Sequence, residues 1–257
     1  MRILAHLSDL HFGRTDARVV EALLDDLHRH RPDLVVISGD LTQRARSHQF
    51  AEARAFLERL PAPAVVVPGN HDLYPLYRPL SRIFRPRSKF HRHLPEHGPL
   101  PVWSDGEVVV MGLDSTRSLR WKEGRLKDRH LEHVAETVAA FPAQACRVAF
   151  LHHPLSASLH GHPFEALAER GVDLVLAGHV HKVHVEVIQA DTASCILVQA
   201  STACSTRLRE DANGYGLIRV DMPDIEVAVQ GWSGEAFHPV HHHRFRKSGG
   251  HWQPVKP

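Results

Sequence analysis

Nine residues could do chemistry together if the chain brings them to one place: Asp9, His11, Asp40, Asn70, His71, Asp72, His152, His179 and His181. They are carboxylates, imidazoles and one amide. Donors of this kind suit borderline divalent cations such as Mn, Fe, Zn or Co, with manganese and iron favoured. No thiolate is present among them to favour a structural zinc. Asp9-Leu10-His11 and His179-Val180-His181 each put two donors on one face of an extended segment, because side chains there alternate with period two. The seven candidate metal ligands are Asp9, His11, Asp40, Asn70, His152, His179 and His181. Seven would saturate one ion and leave it no open position, so they suit two ions sharing a carboxylate. Two metals about 3.5–4 Å apart can clamp both oxygens of an in-line displacement at phosphorus, and can acidify bound water.

Each donor follows an apolar run that reads as a buried strand. Asp9 and His11 follow Ile3-Leu4-Ala5-His6-Leu7. Asp40 follows Leu34-Val35-Val36-Ile37, and Asn70, His71 and Asp72 follow Ala64-Val65-Val66-Val67-Pro68. His152 follows Val148-Ala149-Phe150-Leu151, and His179 and His181 follow Leu174-Val175-Leu176-Ala177. Open α/β sheets bind ligands at the carboxyl ends of their strands, so five strand ends could supply one site.

Between the strands the periodicity turns helical. Residues 16–30 carry Val19, Val20, Leu23, Leu24 and Leu27 on one face. Residues 47–60 do the same, with Ser47 as N-cap, and residues 129–140 form a further helix. Residues 74–101 are rich in Pro, Arg and His and read as a long excursion over the mouth of the site, with a short helix around 76–84. Strands are expected at 108–113, 147–151, 174–177, 183–189, 196–200, 216–220 and 226–230. The last four have few helical signals between them, which predicts antiparallel pairing. Alternation of this kind implies an α/β layered fold. Residues 1–235 read as one domain, and residues 236–257 as a polar, partly disordered tail.

A chain of 257 residues can bury a large core, and its 43% hydrophobic and 23% charged content is ordinary for a globular protein. No apolar run is long enough to cross a bilayer. Residues 1–6 enter a strand at once, without the apolar core of a signal peptide, so a cytoplasmic location is expected. Cys146, Cys195 and Cys204 are odd in number and far apart, and read as free thiols in a reducing compartment. A formal net charge of +2 argues neither for nor against nucleic acid as a partner.

Asp9-Leu10-His11, Gly39-Asp40, Gly69-Asn70-His71-Asp72, His152-His153-Pro154 and Gly178-His179-Val180-His181 occur in the order and spacing of the calcineurin-like metallophosphoesterases. The resemblance covers roughly residues 1–205. It implies a four-layer α/β/β/α sandwich with mixed sheets. One metal would be held by Asp9, His11, Asp40 and His181, and the other by Asp40, Asn70, His152 and His179, with Asp40 bridging. His71 would lie close to the phosphate, either steadying transition-state charge or protonating the leaving oxygen, and Asp72 would orient it. A metal-bound hydroxide would be the nucleophile.

The subfamily narrows a little further. Serine/threonine phosphoprotein phosphatases carry Arg-Gly after the second block and Glu after Gly-Asn-His, whereas this chain has Arg44-Ala45 and Asp72. Compact chains with Asp-Leu-His, Gly-Asp-Leu-Thr and Gly-Asn-His-Asp look most like bacterial class III cyclic-nucleotide phosphodiesterases and the glycerophosphodiester enzymes. The resemblance therefore implies a dinuclear phosphodiesterase acting on a small-molecule phosphodiester. One rival is a nucleotide-conjugate pyrophosphatase on the same metals. The other is a non-catalytic binding scaffold, which the intact ligand set disfavours.

Neighbouring residues have plainer readings. His153 should point to the face opposite His152 and serve packing or support before ligation. His6 reads as a hydrogen-bonded core histidine, and His184 lies outside the motif. His160 and His162 sit on a loop near the site. Asp114 and Ser115 could buttress a ligand, and Gly124-Arg125-Leu126 reads as a turn. Arg78, Arg82 or Arg85 could hold substrate or simply face solvent. The triplet at 241–243 is too short to be a metal site.

Overall fold

The computed structural model describes residues 1–120, 123–155, 163–209 and 211–255. Three short strands with apolar sequences open one sheet: β1 (Arg2–Leu7), β2 (Leu34–Ile37) and β3 (Ala64–Val66). They run parallel, with Leu4 opposite Leu34 and Val35 opposite Ala64. A second sheet is built on β5 (Val108–Gly112), β6 (Cys146–Phe150), β7 (Leu174–Ala177) and β9 (Ser194–Gln199), again parallel. Antiparallel strands β4 (Val102–Ser104) and β8 (His184–Gln189) close its two edges. The first sheet continues from β1 through β10 (Gly214–Asp221), β11 (Asp224–Trp232), β12 (Phe237–Ser248) and β13 (His251–Pro254), all antiparallel.

The two sheets face each other across a core that includes Leu4, Val36, Val110, Val148, Leu176, Val198 and Ile218. Helices α1 (Ala17–His30) and α2 (Ser47–Leu57) cover the outer face of the first sheet through Leu23, Leu27, Phe50 and Phe56. Helices α5 (Asp128–Ala140) and α6 (Glu165–Ala168) cover the second through Val134 and Leu167. Burying both faces of each sheet explains why the central strands are apolar throughout rather than alternating. The result is the expected four-layer α/β/β/α arrangement with mixed sheets. Among the described residues, no helix is long and apolar enough to cross a membrane.

The local signals explain α1 well. The Asp16 carboxylate accepts from Arg18 N at 2.9 Å, and Arg31 ends the helix in the left-handed region. At α2 the expectation fails. Ser47 is its first helical residue, and the cap is made in reverse: Gln49 Oε1 accepts from Arg46 N at 3.3 Å. The excursion holds two short helices, α3 (Pro79–Phe84) and α4 (Ser88–His93), rather than one. The first begins at Pro79, where a missing N–H costs nothing. Of the last four expected strands, β8 pairs antiparallel with β9 and β10 with β11, but β9 also runs parallel to β7.

The polar tail is the largest correction. Residues 236–257 contain β12 and β13, which extend the first sheet. Trp252 is fully buried in the inter-sheet core, and its backbone N–H donates to Ser194 Oγ at 2.6 Å on the opposite sheet. β12 escapes sequence reading because it is held by its backbone ladder. Residues 238–244 along it are exposed or half-buried, so no apolar pattern marks it. Trp252→Ala should therefore cost about 3–5 kcal/mol of stability, as deletion of a buried aromatic does elsewhere. Urea unfolding checks this, and a change under about 1 kcal/mol would return the segment to a loose tail.

Candidate metal centre

Parallel strands put their carboxyl ends on one edge, and the two sheets bring their edges to a common rim. β1, β2 and β3 lead to Asp9, Asp40 and Asn70, while β6 and β7 lead to His152 and His179. The backbone leaves the strands sharply. Asp9 (φ 52°), His11 (52°), Asp40 (53°), His179 (71°) and His181 (56°) all lie in the left-handed region. These are five of the seven described non-glycine residues at positive φ. Each costs of order 1–3 kcal/mol, a strain that persists where surrounding structure over-determines it. The rim supplies that constraint. Asp9 Oδ2 accepts from Ser8 Oγ at 2.6 Å and from His179 N of the other sheet at 2.8 Å. His152 Nδ1 lies 2.8 Å from the Ser38 carbonyl, a second tie between sheets.

Two glycines in the motifs are required by close approach. A Cβ at Gly69 would overlap Asp40 Oδ1, and one at Gly178 would overlap Ser8 Oγ. No side chain fits at either place without displacing a carboxylate or its partner.

The donor atoms form two groups. In one, His181 Nε2 lies 3.0 Å from Asp9 Oδ1 and 3.3 Å from His11 Nε2, which is 3.7 Å from Asp40 Oδ2. In the other, His152 Nε2 lies 3.4 Å from the same Asp40 Oδ2, 3.1 Å from Asn70 Oδ1 and 3.2 Å from His179 Nδ1. A cation bound at about 2.0–2.2 Å holds its donors roughly 2.8–3.6 Å apart, and every separation but the 3.7 Å between His11 and Asp40 falls in that range. Backbone carbonyls set the tautomers. The Nδ1–H of His152 donates to Ser38, and that of His181 to Arg207 at 2.9 Å, which leaves each Nε2 lone pair facing inward. Asp40 divides its work: Oδ1 accepts from His71 N at 2.8 Å, and Oδ2 faces both groups.

The electrostatics are those of buried opposite charges. Burial disfavours charge on Asp40, but the imidazoles of His152 and His71 outweigh it and hold its carboxyl below the usual range. Burial likewise opposes charge on His152, but the Asp40 carboxylate pushes its pKa up to about 9. Burial, with His152 beside it, takes His179 down to about 4.

Several neighbours sit differently from expectation. Asp72 does not hold the His71 ring. It accepts from Leu41 N (3.1 Å), Thr42 N (2.8 Å), Thr42 Oγ1 (2.9 Å) and Gly69 N (2.9 Å), tying the Asp40 loop to the Asn70 turn. The His71 ring is held by the Gln43 carbonyl, 2.7 Å from Nδ1. His153 does not face away. β6 has ended at Phe150, strict alternation with it, and the His153 ring lies 4.6 Å from that of His179, with Nδ1 3.0 Å from Ser115 Oγ. Arg82 is buried and donates to the carbonyls of Ser118 and Tyr74, so it is structural, while Arg78 and Arg85 are exposed. Asp114 pairs with Arg87 and accepts from Thr116 rather than supporting a candidate metal ligand, and Arg125 N donates to the Ser115 carbonyl at 2.9 Å in the turn. His6 is buried, 2.9 Å from Ser38 Oγ. His184 is exposed beside Glu186, and residues 241–243 lie on β12. His160 and His162 lie outside the described residues. The three cysteines are buried free thiols.

Arg207 is the residue that sequence reasoning missed. Its carbonyl holds His181, and its Nη1 lies 3.1 Å from His71 Nε2. It belongs to no motif, and no local signal marks it. Ser38 and Gln43 flank Gly39-Asp40, so their nearness to that block is the local signal for them.

Asp72→Asn offers a check on the loop-tying role. It converts one acceptor oxygen into a donor and leaves buried N–H groups unmet, at about 1–3 kcal/mol each. Urea unfolding should show that loss, while the His71 imidazole resonances stay in place because Gln43 holds the ring. Displaced His71 resonances with unchanged stability would restore the orienting role.

Comparison with known proteins follows the same lines. Residues 2–183 match the model of the calcineurin-like phosphoesterase family. A cAMP/cGMP dual specificity phosphodiesterase of Mycobacterium tuberculosis is 27% identical, covering 88% of this chain and 77% of that protein. The glycerophosphodiester phosphodiesterase GpdQ of Enterobacter lignolyticus is 27% identical over 70% of each. The 3',5'-cyclic adenosine monophosphate phosphodiesterase CpdA of Escherichia coli K12 is 27% identical, covering 60% of this chain and 56% of that protein. Among solved structures, a purple acid phosphatase from yellow lupin shares the fold, with a TM-score of 0.64 at 14% identity. The match covers 93% of this chain, which spans about half of that one (52%). The chain belongs to the calcineurin-like phosphoesterase family and is, as such, a metal-dependent phosphoric ester hydrolase.

Proposed function

We infer that the chain is a dinuclear phosphodiesterase acting on small phosphodiesters of the cyclic-nucleotide or glycerophosphodiester type. Asp40 carries the dinuclear part: one oxygen, Oδ2, faces two separate donor groups. One cation would be held by Asp9, His11, Asp40 and His181, the other by Asp40, Asn70, His152 and His179. The set of carboxylate, imidazole and amide oxygen fits manganese or iron, with zinc and cobalt the other candidates. When bound, two such cations draw charge from the phosphoryl oxygens and make hydroxide available near neutral pH. The choice of diester over monoester is supported by the relatives, whose names are those of phosphodiesterases.

The chain's own residues then have distinct tasks. Oxygen from water bonds to phosphorus as the ester P–O bond breaks, and the departing oxygen takes a proton. His71 stands beside the first donor group, its ring 4.9 Å from that of His11. With Nδ1–H committed to Gln43, Nε2 accepts from Arg207 Nη1 at 3.1 Å, and it is the nitrogen that, after taking up a proton from solvent, can pass it to the leaving oxygen. Arg207, against that Nε2, adds a fixed positive charge where the phosphoryl oxygens gather negative charge.

The test is hydrolysis of bis(4-nitrophenyl) phosphate against 4-nitrophenyl phosphate by manganese-loaded protein, with a chelator control. Faster, chelator-sensitive cleavage of the diester is expected, and preference for the monoester would make the chain a phosphatase instead. A pair of variants separates holding metal from using it. Asp40→Ala should leave fewer than two metals per chain by elemental analysis, since both groups lose their shared oxygen. His71→Ala should keep two and lose about 10²–10⁴ in kcat. Two metals retained by the first, or lost by the second, would contradict these roles.

A further inference from the structure

Next to the metal centre lies a basic cavity that neither the family's motifs nor the donor groups account for. Its volume is about 500 Å³, and Arg14, Arg44, Arg46, Arg207, Gln43 and Gln49 line it with Gly13. No acidic side chain is in the lining. Among the described residues, Arg14, Arg44 and Arg46 have no carboxylate partner. Elsewhere on the surface Arg2, Arg18, Arg54, Arg59 and Arg246 are each paired with a carboxylate. Like charges gathered in one concavity repel, and an anion there relieves the repulsion.

The cavity is built, not incidental. Gln49 is buried beneath it, and its Oε1 accepts from Arg44 N at 2.9 Å as well as from Arg46 N. That fixes the backbone from which two guanidinium groups project. On the other wall the Arg14 carbonyl accepts from Thr206 N at 2.7 Å and Ser205 Oγ at 3.1 Å, locking the strand-end loop of Arg14 to the segment carrying Arg207. Arg207 in turn touches His71. The cavity therefore opens beside the imidazole placed at the scissile phosphate. A second, more apolar cavity of about 330 Å³ lies on the far side of Gln43 and Arg44, walled by His71, Leu73, Pro75, Leu76 and Tyr77. A flat apolar group fits against that wall.

We propose that the substrate is a phosphodiester carrying a second, terminal phosphate, which the arginine cavity binds while the diester lies at the metal centre. This rests on the phosphodiesterase reading and goes beyond the substrate types proposed there. Planar guanidinium forks match phosphate oxygens bidentately, and several of them distinguish a dianionic phosphate from a hydroxyl. Both cavities adjoin the His71 rim, so a diester at the metal centre can reach the arginine cavity with its terminal phosphate and lay a base against the apolar wall. A phosphorylated dinucleotide has all three parts.

The experiment compares kcat/KM of the manganese-loaded protein on adenylyl-(3′→5′)-adenosine with the same dinucleotide phosphorylated at its 5′ or its 3′ end. Wild type should prefer one phosphorylated form by about 10-fold or more. The Arg14→Gln/Arg44→Gln/Arg46→Gln variant should lose that ratio. Because each ratio is taken within one protein, partial misfolding does not imitate the result. A wild type that prefers neither phosphorylated form, or a preference that survives the triple substitution, overturns the proposal. Bis(4-nitrophenyl) phosphate, run in parallel, has no second anion and tests the phosphodiesterase reading alone. Should that hydrolysis fail, equilibrium binding of the three dinucleotides in chelator still decides about the cavity. Tighter binding of a phosphorylated form by wild type but not by the variant supports it, and equal binding refutes it.

Discussion

Seven donor atoms that aim lone pairs at a shared volume repel one another, and the fold is arranged to hold them there. Asp9 Oδ1, Asp40 Oδ2 and the inward nitrogens sit 3.0–3.7 Å from their neighbours. Left to themselves, two carboxylates and four imidazoles would rotate apart or take protons. Here the backbone leaves them no room to rotate apart. The left-handed conformations of Asp9, His11, Asp40, His179 and His181 place the donors, and hydrogen bonds across the sheets keep them placed. A cation is the natural partner of such an arrangement, because it turns each repulsion into a shared attraction.

That constraint reaches outward in layers. The carbonyls of Ser38, Gln43 and Arg207 each hold one imidazole by Nδ1, so that three rings share one tautomer without a carboxylate to set it. Asp72 acts one step further out, joining the loop of Asp40 to the turn of Asn70 and His71 through four hydrogen bonds. Burial and the nearby Asp40 charge push its pKa up to about 6, and the hydrogen bonds from Gly69 and Thr42 oppose that shift. Behind these loops lie the apolar cores on both faces of each sheet, which supply the stability that offsets the strain at the rim.

The surroundings of the centre are asymmetric, and the asymmetry bears on substrate choice. On the His71 side stand Arg207 and the arginine cavity, with a more apolar wall beyond. On the His179 side a cavity of about 510 Å³ is lined by His153, Leu126, Leu155 and Val180. A phosphodiester has two unlike alcohols, and a rim with two unlike sides can tell them apart. Relatives named for cyclic nucleotides and for glycerophosphodiesters share about 27% identity with this chain.

The sequence by itself determined what lies at the ends of the strands. Apolar runs of four to six residues are legible because burial on two faces demands them, and the donor residues are legible because each follows such a run within a few positions. The layered architecture followed from the same alternation. What the tertiary structure alone decided involves partners distant in sequence. Asp72 meets Leu41 and Thr42 rather than the adjacent ring, and His153 turns toward His179 because strand geometry has already ended. Arg207 reaches His71 across 136 residues. The strand β12 is held by a backbone ladder with few buried side chains to announce it. Hydrophobic periodicity records how a residue faces its own element, and these contacts depend on where two elements meet.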